Sequence, residues 1–486
     1  MAVVVGNVIG SGIFLKPGTI ARDGGEFGLI ISVWVLGGVL CILGALCFAE
    51  LATMLPRAGG LYVYLREAYG RPVAFLFGWT DFLIRLPGSI AALSVVFVGQ
   101  VVYVLGWDVP TLGQLLMVAV LIIGMAWVNI IGVVWGGRLQ NFTTIIKAGA
   151  LVLVATSPFI LWPFVQQAFD AANLTTTVDP AEKDFGARLG VILLAVMWAY
   201  NGWHGVTPLA EEINNPQRNI PIALFGGIGI LIVLYVATNF AYHSVLTMDE
   251  IREVGVANAD TTKSVIERET VGANMFKRMI GPMGVALVAG MIMCSTFGAI
   301  NTNLLQAPRI PFAMGRDGVF FRGLGHVHEH YRTPAVAIAA SALIAILFVV
   351  TAAAAKHFVQ HIDAKAIAWP LFEKITASLQ KDTIFDLLTN LVIFAASIFY
   401  ALAVAAVFIL RVRRPDLDRP YRTWGYPVVP ALFIGVYVWF LYQIYSEQPL
   451  ESRTGLVLIL LGLPVYFAYQ WSSRQDNSPP TQGNEI

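Results

Sequence analysis

The chain has 486 residues, 57% of them hydrophobic and only 13% charged, against about 25% charged in an ordinary soluble domain. So little charge cannot cover a water-facing surface, which excludes a soluble enzyme. The balance of 31 Lys and Arg against 30 Asp and Glu leaves a net charge of +1 and no basic face for nucleic acid.

A membrane helix needs about 20 mostly apolar residues. Twelve stretches qualify, near 2–22, 28–54, 73–105, 112–134, 139–164, 186–208, 220–246, 279–305, 334–355, 385–410, 427–446 and 454–471. They are long and continuous, which predicts helices and excludes a β-barrel of alternating ten-residue strands. The 45 Gly and 24 Pro fit membrane helices better than soluble ones. Cys41, Cys47 and Cys294 all fall in apolar runs and read as small buried hydrophobes, so no disulfide framework is expected. The opening MAVVVGNVIG has no basic n-region, so no cleavable signal peptide is expected. Residues 472–486 are polar and rich in Pro and Gly, and read as a disordered tail.

The first stretch is interrupted at Gly10-Ser11-Gly12, because two glycines two apart are costly inside a helix that does not break there. The sixth contains Trp198-Ala199-Tyr200-Asn201-Gly202-Trp203-His204-Gly205 followed by Pro208, a second interruption five spans later. Matching breaks in two halves mark an inverted-repeat transporter, and unwound backbone at membrane depth survives only where it lines a cavity. A broken helix exposes unpaired N–H groups, which suit a carboxylate, and unpaired carbonyls, which suit an ammonium. Both ends at one site complement an α-amino acid zwitterion. The competing reading is that Gly10 and Gly12 merely permit close helix packing.

Five motifs carry a resemblance that spans nearly the whole chain. They are GNVIGSGIFLKPGTIA, AELATMLPRAGGLYVYLREAYG, MWAYNGWHGVTPLAEEINNPQRNIP, STFGAINTNLLQAPRIPFAMGRDG and RPDLDRPYRTWGYPVVP. The chain resembles the amino acid–polyamine–organocation superfamily, most closely the L-type amino acid transporter branch and its bacterial relatives. The resemblance implies an all-α integral membrane protein of twelve transmembrane helices. Its core, residues 1–410, would be a LeuT-type 5+5 inverted repeat (1–164 and 186–410) with helices 1 and 6 broken, and 411–471 would add two further helices. It implies a permease of neutral L-amino acids, a proton symporter or an antiporter. An amine or polyamine transporter of the same fold, or an amino-acid-binding membrane sensor, are the alternatives.

The same resemblance assigns residues. The Ser11 and Gly12 amides, beside Gly10, would hold the substrate carboxylate, and carbonyls near Val8, Trp198 and Asn201 the amine, with Trp198 as an aromatic gate. Relatives often carry Asp or Gly where Asn201 stands and Asn where His204 stands. Val392, Ala395, Ala396 and Ser397 occupy positions where relatives line the side-chain pocket; the pocket residues expected are Val392 and Ala396. Lys147 falls in the span where several relatives place a lysine in lieu of a sodium ion, with Ser295 and Thr296 nearby; the plainer reading is a lysine snorkelling to the interface. No metal and no cofactor are implied. The loop GWDVPT lacks the cysteine that binds a heavy chain in animal relatives, so no disulfide-linked partner is expected and the protein would act as a monomer or homodimer in a bacterial inner membrane.

Other polar residues keep two readings each. Asp81 and Arg85, at i and i+4, form a structural staple or take part in coupling. His204 carries a proton or simply bonds a neighbouring helix. Glu211 and Glu212 join a gate or lie solvated. His326, His328 and His330 alternate in a loop and are not expected to bind metal. No HExxH, Walker A or nucleotide fingerprint occurs, so transport would run on a gradient. The densest basic stretch, Arg411 to Arg422, sits in a short loop, which puts both termini in the cytoplasm. Only about eight residues precede the first break, roughly 12 Å of helix, less than half of a ~30 Å core, so the natural start is expected upstream.

Overall fold

In a bilayer each segment must satisfy its own backbone hydrogen bonds, and the computed structural model answers with helices wherever the chain is apolar. The structure describes residues 1–57, 59–131, 136–179, 184–259, 269–306, 309–317, 320, 328, 331, 333–360, 362–363 and 369–476. The first stretch is α1 (Ala2–Val8) and α2 (Gly12–Gly24), bent by 50° at the Gly-Ser-Gly break. Then come α3 (Phe27–Met54), α4 (Leu61–Tyr69), α5 (Arg71–Thr80), α6 (Leu86–Leu105), α7 (Thr111–Ile131), α8 (Gly136–Leu161) and α9 (Phe185–Ala199). The second half holds α10 (Pro216–Val245), α11 (Met248–Ala259), α12 (Val271–Ile280), α13 (Pro282–Gln306), α14 (Arg309–Arg316), α15 (Ala335–Val359), α16 (Pro370–Lys381) and α17 (Ile384–Arg413). The chain closes with α18 (Val428–Glu447), α19 (Pro449–Leu460) and α20 (Gly462–Asp476). Among the described residues no strand forms; an isolated bridge joins Glu26 to Thr177.

Among the described residues ten helical segments are long and apolar enough to cross a membrane, and the bent α1–α2 pair makes an eleventh. The remaining stretch, 186–208, is no full-length helix. It is helical only as α9, then runs through turns into a short 3-10 helix, Thr207–Glu212. Gly202 explains the break: its φ of 96° lies in the region that only glycine enters freely. Pro208 adds to it by withholding an N–H.

The helices show the two-faced pattern of a lipid-embedded bundle. On α7, Leu112, Leu116, Val120, Ile123 and Trp127 are exposed at helical spacing, while Gln114, Val118, Ile122, Met125 and Asn129 are buried against the bundle. That apolar stripe belongs in lipid. Polar staples tie the bundle together. Glu50 on α3 is buried and accepts from Arg411 Nε and Nη2 at 2.9 and 2.7 Å and from the Thr423 amide at 2.7 Å, locking α3 to the end of α17 and its following loop.

The span from Arg71 to Leu105 contains a wide, π-helical turn over Asp81–Arg85, where the Leu86 amide reaches back five residues to the Asp81 carbonyl. Pro87 is the reason. It has no N–H for the Leu83 carbonyl, and its ring would clash there in a regular helix. The insertion of one extra residue turns Arg85 toward the bundle centre.

Candidate functional site

The two breaks meet. Gly12, first residue of α2, packs so tightly on the end of α9 that a Cβ there would stand 2.6 Å from Ala199 Cα and 2.8 Å from Ala199 Cβ. α1 packs against α8, α10 and α13, and α2 against α9 and α11. A cavity of about 60 Å³ opens at the junction, lined by Asn7, Val8, Gly10, Ser11, Gly12, Trp198, Asn201 and Gly202, with Arg85, Ser89 and His204 on its flank. It continues past Thr302, Asn303 and Gln306, the last turn of α13.

The backbone ends at this cavity carry free capacity. Ser11 O accepts from the Phe14 and Leu15 amides, which starts α2, while the Ser11 and Gly12 amides donate to nothing among the described residues. These are the orphan donors of a helix N-terminus, with its partial positive charge. The Ser11 hydroxyl is buried and has no partner among the described residues, and neither has Nδ1 of the buried His204. Opposite lie carbonyls. Tyr235 Oη stands 2.9 Å from Ala199 O and 3.3 Å from Val8 O, so one phenolic proton is shared between the ends of both broken helices. Trp198 O accepts from the Asn201 amide at 3.0 Å, and Asn201 Oδ1 accepts from Tyr400 at 3.3 Å. The Val8 and Ala199 carbonyls each keep a second lone pair. Trp198 itself is buried edge-on against Phe385, with ring centres 5.8 Å apart.

Two side chains reach the first break from neighbouring helices. Lys147 on α8 is buried and its Nζ lies 3.3 Å from Gly6 O in α1; Ser295 on α13 donates at 3.1 Å to Gly10 O. Thr296 does not join them, since its hydroxyl bonds Ile292 O of its own helix at 2.8 Å. Val392 and Ala396 are buried on α17 but line no part of the cavity. Val392 faces Gly88 on α6, whose missing side chain makes room for it: a Cβ at Gly88 would stand 2.6 Å from Val392 Cγ2. Glu211 is exposed, the Glu212 side chain lies outside the described residues, and so do His326, His330 and 477–486.

Sequence reasoning missed three features. Asn7 lines the cavity, and the only cue is a polar residue in an apolar run before the break. Arg85 lines it too, through the π-helical turn. Beyond Trp198 lies a buried ion pair between Lys16 on α2 and Asp386 on α17, with Thr389 Oγ1 2.8 Å from Lys16 Nζ. Next to this pair, burial and the charge of Asp386 raise the Asp382 carboxyl above its ordinary value.

Comparison with known proteins agrees with this architecture. The chain matches the family described as amino acid permease over residues 1–467. It is 32% identical to the serine/threonine exchanger SteT of Bacillus subtilis, covering 96% of this chain and 94% of that one. It is 29% identical to the human b(0,+)-type amino acid transporter 1, over 96% of this chain and 86% of that one. Identity to the rabbit (Oryctolagus cuniculus) large neutral amino acids transporter small subunit 2 is 28%, over 96% and 78%. With family-wide similarity, a helical bundle and a broken helix pair around a polar cavity, the chain belongs to the amino acid permease family and is a multi-pass membrane transporter of amino acids, not an enzyme.

Proposed function

We propose that this permease exchanges neutral L-amino acids by alternating access, with the substrate held as a zwitterion at the two breaks. The observation that supports it is the meeting of unpaired Ser11 and Gly12 amides with the Val8, Trp198 and Asn201 carbonyls around one small cavity. The amides take the carboxylate and the carbonyls the ammonium. The two halves, 1–164 and 186–410, rock about this centre, and 411–471 stays outside the moving core. The protein works in a bacterial inner membrane with both termini in the cytoplasm, as a monomer or homodimer with no disulfide-linked heavy chain. The SteT likeness favours exchange over simple uniport.

Counterflow in proteoliposomes tests this. Vesicles preloaded with L-serine or L-alanine are expected to accumulate the labelled amino acid transiently above equilibrium. Failure of every L-amino acid to exchange overturns the reading, as does inhibition by putrescine without inhibition by any neutral amino acid.

Coupling is assigned to Lys147, with Ser295 on the facing helix. Its ammonium occupies the place of a bound cation between α8 and the end of α1. Lys147→Ala is expected to flatten the pH dependence of net uptake while homoexchange persists. An unchanged pH profile in that variant, measured from pH 5 to 8, counts against the lysine.

A further inference from the structure

We propose that Arg85 reads the side chain of the bound amino acid and selects small side chains that end in a hydroxyl or amide oxygen. This deepens the exchange reading and rests on it. Arg85 lines the cavity beside Ser89, Asn201 and His204. Its Nε donates to Asp81, and its two terminal amino groups have no partner among the described residues. Asp81 is fully buried, and Arg85 is only 12% exposed. The guanidinium is thus anchored from behind by its own helix and presents free donors to the cavity. Anchoring matters, because an arginine held in one orientation gives up little freedom when it bonds a ligand.

Three features define the side chain that fits. Free N–H groups in a site shielded from water need an acceptor, so an apolar side chain leaves them unsatisfied. The Asp81–Arg85 pair is neutral as a unit, so a full carboxylate gains less than it loses in hydration, and a cationic side chain meets the guanidinium directly. The cavity is small, about 60 Å³, and the side chain shares it with the zwitterion, which favours a short one. His204 lines the same flank, its buried Nδ1 unpartnered among the described residues.

The test is isosteric discrimination. L-threonine and L-valine share a shape and differ by one hydroxyl, and L-serine and L-2-aminobutyrate differ similarly. In proteoliposomes the full chain is expected to prefer threonine over valine in kcat/KM by about 10- to 100-fold, the range for a hydrogen bond to a charged donor. In the charge-neutral double variant Asp81→Asn, Arg85→Gln that ratio is expected to fall toward one. A wild-type ratio near one overturns the proposal whether or not any variant folds. So does a double variant that loses threonine and valine equally, which would put Arg85 on the α-carboxylate instead. If the wild-type protein exchanges no L-amino acid at all, it is the exchange reading that fails.

Discussion

Gly12→Ala is expected to cut amino acid exchange at least about 100-fold, whereas Gly149→Ala, on α8 and outside the cavity, keeps exchange near the wild-type rate. The difference follows from what each new methyl would meet. At Gly12 it lands 2.6 Å from a backbone atom of Ala199 and 2.8 Å from its Cβ, and neither can swing aside. At Gly149 a new methyl would meet nothing within 4 Å. Relief at Gly12 requires α2 to move off the end of α9, which widens the gap between the orphan amides and the carbonyls that face them. A displacement of about 1 Å in a positioning element costs on the order of a hundredfold where both ends of a ligand must be held. The cost in stability is smaller, about 1–3 kcal/mol for overpacking. Initial counterflow rates, read beside melting in detergent, separate the two. A Gly12→Ala protein that melts normally and exchanges at the wild-type rate would show that the close approach of α2 and α9 is not needed for transport.

Most of the architecture was legible in the chain because membrane helices announce themselves by length and apolarity. The break in the first span was legible for the same reason: Gly10 and Gly12 have no business in the middle of an uninterrupted helix. The second break was legible from Gly202 and Pro208, but its consequence was not. Nothing local says that the chain after Ala199 forms turns and a short 3-10 helix. The cavity wall was harder still. Which face of a helix looks inward depends on its rotation, and for a helix apolar all round the sequence carries no stripe to read. Val392 and Ala396 illustrate this, since α17 is turned by its fit to Gly88 so that Val392 fills a helix contact. Arg85 illustrates the opposite case. The i, i+4 spacing from Asp81 was visible, yet the π-helical turn forced by Pro87 decides that the guanidinium borders the cavity. Lys16 and Asp386 are 370 residues apart, and no pattern pairs them before the fold does.

That pair carries the other large effect. Asp386→Ala is expected to destabilise the protein by about 3–5 kcal/mol, the range for stripping one partner from a buried ion pair. Lys16 is 1% exposed and every direction around its ammonium is used. It donates to Asp386 and to Thr389, and the Phe385 ring lies 4.7 Å away. Thr389 in turn donates to Asp386 O at 3.1 Å. Asp386 is equally committed, because its amide bonds the Thr383 hydroxyl at 2.9 Å and its Oδ2 accepts from that hydroxyl at 3.0 Å, which caps α17. Removing the carboxylate therefore leaves a buried charge without its counter-ion and frays the start of α17 together. Lys16→Met, Asp386→Leu is expected to recover most of the loss, since an apolar pair of similar volume needs no compensation. Thermal melting of the purified protein in detergent measures both variants. Because the pair ties α2 to α17, the double variant should also show faster labelling of a cysteine placed at Asn390 on that side of the bundle. If Asp386→Ala melts within about 1 kcal/mol of the wild type by this measure, the ammonium has found another partner and the pair is not what joins these two helices.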